Sequence, residues 1–319
     1  MTAVRTPVME LSCYTTSLVA YLETERPDAA RRLAESIRLA VRPDPSGPGI
    51  AFSHHGRIDL SARPGCLTGA AEGLVYRGSP EWERTRTALR EEAERFGRVL
   101  AVANTRTVPW SPAYGRSTAA HWIVVRPVPG GLGTWHIEDR FAALLPDGEQ
   151  KPHRTVVDDD GLRSLLTPLG ALPRPFVLRD SHALGTPTPL PAPGDHRWLV
   201  RAPLPPQEAL DGPWLTDTGE ALEFLADRLI SDPALLAAHA DDLWAASRHQ
   251  RHRLELLAAT GRVPADAAAD AAARWGELPR SLRFALESAG RGRPRTGLLT
   301  RAFADLTDAM NLIRKEERP

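Results

Sequence analysis

Proline cannot sit inside a helix or a central strand without destabilising it, and this chain carries 29 prolines, so their positions mark where its elements end. The densest stretches, TPTPLPAPGD at 186–195 and PLPPQ at 203–207, read as stiff extended connections. Before them the hydrophobic pattern switches between helical and strand periods. Beyond about residue 216 strand signals disappear. The sequence therefore predicts an α+β region over 1–215 followed by an all-helical region over 216–319. At 319 residues, each region is long enough to bury a core of its own.

Lys+Arg and Asp+Glu both total 40, so the net charge is zero and no global field gathers nucleic acid or an anionic membrane. No apolar run approaches the roughly 18–20 residues that cross a bilayer, and the first residues lack a basic segment and a cleavage site. A cytoplasmic protein without nucleic-acid or membrane partners is expected. The two cysteines, Cys13 and Cys66, have no zinc-ligand spacing, and a disulfide framework is not expected. His54 and His55, with Asp59 nearby, lie on an extended segment where neighbouring side chains point apart, so no metal site is predicted there. The absence of GxGxxG, Walker and GxSxG motifs leaves nucleotide chemistry and the α/β-hydrolase elbow without support, and no cofactor is expected.

Ser12 or Thr15 caps a predicted helix running to Leu22, and Cys13 falls at its start. A second helix is predicted over 28–39, ended by RPDPSGPG at 42–49. Residues 50–78 read as irregular, with room for short strands. A third helix follows a capping Ser79 with Pro80 at its first position and runs to Phe96. Apolar runs at 99–103 and 121–126 read as strands, and PVPGGLG at 127–133 turns the chain into a returning strand at 134–139. Asp158 to Asp160 start a helix to about 169, and strands are predicted near 176–179 and 197–201. The helical tract divides into segments 218–230, 233–246, 248–259, 264–275, 280–288 and 296–314.

A thiol at a helix N-terminus meets the positive end of the helix dipole and free amide N–H groups, which ready it as a thiolate and can hold the oxyanion formed when it attacks a carbonyl. Cys13 occupies such a position. His121 opens an apolar strand after a loop, where an imidazole can project as a general base. Asp139, on the returning strand, can orient that imidazole through its other nitrogen; a register slip of one residue would put Glu138 there instead. Trp110, Tyr114 and Trp122 are candidate pocket walls, and Asn104 a candidate amide for the oxyanion or substrate. Cys66, after a glycine in ARPGCLTG, is a fallback thiol without a histidine at strand spacing nearby.

The order nucleophile on an early helix, base on a mid-domain strand and acid on the next strand is that of papain-like cysteine enzymes. Cys13-Tyr14-Thr15-Thr16-Ser17-Leu18 with Leu22 resembles the opening motif of the butirosin-biosynthesis acyltransferase family. GRVLAVANTRTVPWSPAYGRSTAAHWIVV at 97–125 is similar to that family's strand, aromatic loop and histidine strand, and WHIEDRF at 135–141 to its acid-bearing strand. The tract after about 216 resembles the accompanying helical domain. The resemblance implies a papain-like fold, with Cys13 as acyl acceptor, His121 as base and Asp139 as orienting acid. It further implies acyl transfer from the phosphopantetheine thioester of an acyl carrier protein, through an S-acyl enzyme, to an amine in natural-product biosynthesis. The glutamine that papain-like peptidases place before the cysteine is missing, Pro7, Val8, Met9 and Glu10 filling that stretch, so peptidase activity is not expected.

Two other outcomes are open at this level. A chain-releasing cyclase would close a polyketide or peptide chain onto itself to give a lactam or another ring, and a binding module would keep the fold without the chemistry. The basic segments RHQRHR at 248–253 and RGRPR at 291–295 read as solvated faces or as a docking patch for an acidic carrier.

Overall fold

A computed structural model of the chain describes residues 10–60, 72–145, 147–204, 210 and 212–317. Pro7, Val8, Met9 and Cys66 lie outside the described residues. In chain order the elements are α1 (Cys13–Leu22), α2 (Ala29–Ser36), β1 (Ile37–Pro43), β2 (Ile50–His55), β3 (Glu72–Ser79), α3 (Trp82–Phe96), β4 (Val99–Asn104), β5 (Ala120–Pro127), β6 (Thr134–Asp139), β7 (Ala143–Leu145), β8 (Gly148–Gln150), β9 (His153–Asp158), α4 (Asp159–Leu165), α5 (Arg174–His182), β10 (His196–Pro203), α6 (Thr218–Leu229), α7 (Pro233–Ala259), α8 (Ala265–Gly290) and α9 (Thr296–Glu316). The fold is mixed α+β. Among the described residues no helix is long and apolar enough to cross a membrane.

The chain forms two compact units, both discontinuous in sequence: residues 1–30, 59–176 and 188–206 make the first, and 31–58, 177–187 and 207–319 the second. The helical tract begins at Thr218, close to the boundary read from composition, yet its unit also takes in β1 and β2.

The first unit is built on a six-stranded antiparallel sheet in the order β3-β10-β4-β5-β6-β9. Alternation along its strands sends Val99, Ala101, Ala103, Ile123, Val125, Trp135 and Ile137 into one core with Leu89 and Ala93 of α3 and Leu162 and Leu165 of α4. Gly97, at φ 76°, ends α3 in the left-handed region and lets β4 start two residues later. Helix α1 packs against β4 and β5 and is buried at every position from Tyr14 to Leu22, its polar Thr15, Thr16 and Ser17 included. The β5–β6 hairpin forms as the turn signals predict.

Several elements differ from the sequence reading. The second helix stops at Ser36, where Ile37 to Pro43 pair with β2, because Leu39 and Val41 bury themselves as strand residues. Ser79 ends β3 instead of capping α3; its hydroxyl bonds Glu81, which precedes the helix. Residues 176–179, expected as a strand, lie within α5. Segments 233–246 and 248–259 are one helix, α7, in which the Ser247 hydroxyl is buried and donates to the Trp275 carbonyl at 2.6 Å. Segments 264–275 and 280–288 are likewise continuous as α8, with Pro279 inside it, because the buried Trp275, Leu278 and Leu282 keep both halves on one core.

In the second unit, Leu39, Val41, Ile50 and Phe52 of the β1–β2 hairpin share a core with Leu225 of α6, Leu243 of α7, Trp275 of α8 and Phe303 of α9. Beside it the His54 ring stacks between Phe52 and His249, with centroids at 5.8 and 5.3 Å, and its buried nitrogens have no hydrogen-bond partner among the described residues. Burial pushes His54 down to about 4 and lowers His249 as well. A histidine with a depressed folded pKa binds its proton first in the unfolded chain. Its contribution to stability is complete above the unfolded value of about 6.5 and is lost as the pH falls toward about 4. We expect the urea midpoint to fall over that window, and less steeply in His54→Leu; parallel profiles for the two proteins would refute the assignment.

Candidate active site

Cys13 owes its position to a helix cap. Ser12 is extended, at φ −68° and ψ 164°, and its hydroxyl accepts from the Thr15 amide at 3.4 Å, a contact of the type worth about 1 kcal/mol. Ser12, rather than Thr15, is thus the cap. The first amides of a helix have no carbonyl one turn behind them, so the Cys13 N–H has no partner within α1. The helix is held to the sheet at this end: the Tyr14 ring meets Trp122 edge to face at 5.1 Å, and the Ser17 hydroxyl donates to the Trp122 carbonyl at 2.6 Å.

His121 is the second residue of β5, paired with Ala103, at the end of the strand where a group on α1 reaches it. Its Nε2 lies 2.7 Å from Asp139 Oδ2. The Cys13 thiol is near enough to the imidazole to favour its charged form. With Nε2 committed to the carboxylate, Nδ1 is the nitrogen left for sulfur. Burial opposes charge on His121, but the Asp139 carboxylate and then Cys13 overcome it and push His121 up to about 10. The imidazole is therefore held as an imidazolium across the neutral range.

Asp139 is fully buried. Besides His121, its Oδ2 accepts from Trp110 Nε1 at 2.8 Å and Gln150 Nε2 at 3.1 Å, and its Oδ1 from the Phe141 amide at 2.9 Å. Burial favours the neutral acid, yet the His121 charge and these donors hold Asp139 below the usual carboxylate range. Glu138, the register alternative, points to the other face of β6 and pairs with Arg140 and Arg154, away from His121.

The remaining sequence candidates take different places. Trp110 joins the site through Asp139 and stacks on His153 at 4.4 Å, so its indole supports the carboxylate. Asn104 is tied into the fold: its Oδ1 accepts from Arg106 N, capping the short turn at Thr105–Thr107, and its Nδ2 donates to the Pro168 carbonyl at 3.4 Å. Trp122 is fully buried, packed against Tyr14 and Tyr76, because its strand position sends it to the opposite face from His121. Tyr114 is 55% exposed, on the loop that carries Trp110. Gln150 escaped the sequence reading altogether. It is brought to Asp139 by the β7–β8 hairpin, a pairing of three-residue strands too short to leave a periodic signal.

A thiol, an imidazolium and a buried carboxylate in series, next to a helix amide without an intrahelical partner, can form a covalent acyl intermediate and protonate a leaving group. No protein-family model matches the chain, and no curated protein matches it.

Proposed function

We propose that the chain is a cysteine-dependent acyltransferase of papain-like fold, acting in the cytoplasm on a thioester donor and an amine acceptor, as its resemblance to the butirosin-biosynthesis acyltransferases implies. The observation that carries this reading is the series Cys13–His121–Asp139, in which the imidazole is bonded to the carboxylate and its charge is favoured by the neighbouring Cys13.

In the first half-reaction the Cys13 thiolate attacks the thioester carbonyl. The new C–S bond forms to give a tetrahedral oxyanion, whose collapse breaks the old C–S bond, and the departing thiolate takes the His121 proton. Exchange of one thioester for another is close to isoenergetic, so the protein has mainly to position the reactants. The oxyanion is met by the Cys13 N–H at the helix start. In the second half-reaction the amine attacks the S-acyl carbon, His121 takes its proton, and the Cys13 thiolate is released with the amide product. Asp139 stays ionised in both halves and keeps Nδ1 directed at sulfur.

Intact-mass spectrometry after incubation with acyl-pantetheine thioesters tests this directly. A single acyl addition that maps to Cys13 and disappears on adding an amine acceptor is expected. No adduct with any donor, or an adduct that an acceptor leaves untouched, overturns the transferase reading.

A further inference from the structure

The sheet face that carries Glu138 holds a second feature. Register places Val124, Glu138 and Arg154 in one row across β5, β6 and β9, and Arg126, His136 and Val156 in the next. These side chains line a groove of about 190 Å³ together with Ile137 and Thr155. The groove is open to solvent: the Arg154 side chain is 73% exposed and Val156 50%.

The charges on this groove do not balance. Glu138 is its one carboxylate, already bonded by Arg140 and by Arg154 at 2.7 Å. Arg126 has no acidic partner among the described residues, and its charge is felt by the nearby Arg98, which burial and then Arg126 push below its ordinary value against the pull of Glu138. A surplus of guanidinium groups over carboxylates in a concave site leaves a positive potential that an anion relieves. Arg126 and His136 face each other directly across neighbouring strands, and Arg154 lies diagonally from His136 on the third. Three donors arriving from three strands match a group with several terminal oxygens better than a flat carboxylate.

We infer that this groove binds a phosphate group, presented either by a pantetheine arm or as free phosphate. The inference does not depend on the chemistry assigned to Cys13. Calorimetric titration of the full chain with inorganic phosphate, with pantetheine 4′-phosphate and with pantetheine tests it. Saturable binding of the first two and none of pantetheine is expected; binding of inorganic phosphate alone assigns the groove to free phosphate. Arg126→Gln and Arg154→Gln should each weaken binding about tenfold, the loss of one charge-assisted hydrogen bond, while Arg293→Gln, on the helical unit, leaves it unchanged. Absence of saturable phosphate binding, equal binding of both pantetheines, or undiminished affinity in Arg126→Gln overturns the inference. Cys13 alkylation, measured on the same variants, should proceed at the wild-type rate, which separates a failed groove from a failed active site.

Discussion

Cys13→Ala is expected to lose acyl labelling completely and turnover by at least about 10⁴-fold, because removal of a nucleophile leaves only substrate binding and oxyanion contacts to accelerate the reaction. The substitution removes a partly exposed sulfur from a helix start whose cap and sheet contacts are made by Ser12, Tyr14 and Ser17. Stability should therefore change by less than about 1 kcal/mol, which the urea midpoint checks. A loss of activity with an unchanged midpoint isolates the chemistry from the fold. Turnover at the wild-type rate would mean that sulfur is not the acyl acceptor.

Asp139→Asn should lower turnover by about 10²–10⁴-fold and move the alkaline limb of the rate profile downward. The native Oδ2 accepts three N–H groups and Oδ1 a fourth. An asparagine amide sets its own N–H against one of them in either orientation, and it carries no charge to hold the imidazolium. In the wild type, His121 is raised to about 10, so the limb should lie near there. The same shift makes a stability contribution that is complete below the unfolded value of about 6.5 and is lost as the pH rises through about 10. In the variant burial is opposed by Cys13 alone, and both the limb and the alkaline loss of stability should move toward neutral pH. The pH dependence of Cys13 alkylation and of the urea midpoint reads the two effects separately; a limb that stays where it was would show that Asp139 does not set the charge of His121.

Where local chemistry decides, the residues announced their structure. A capping serine before an apolar run starts α1, a glycine-rich turn closes the β5–β6 hairpin, and Asp158 caps α4 through the Gly161 amide. The same hairpin sets the strands of His121 and Asp139 side by side. What failed were inferences about segments whose state depends on distant partners. Residues 37–39 continue a helical pattern but form a strand with 53–55, and 176–179 look like a strand but join a helix.

By itself the sequence determined the α+β character of the chain, the helix start that presents Cys13, the strands that carry His121 and Asp139, and the helical tract after residue 216. All of these rest on interactions between residues close along the chain. Tertiary structure alone decided that Asp139 and not Glu138 meets the imidazole, that Trp110 and Gln150 hold the carboxylate, that Trp122 and Asn104 serve the fold, and that a hairpin at 37–55 belongs with the helices. Each of those outcomes turns on which side chains meet in space across tens of residues of chain, and periodicity and capping carry no record of such encounters.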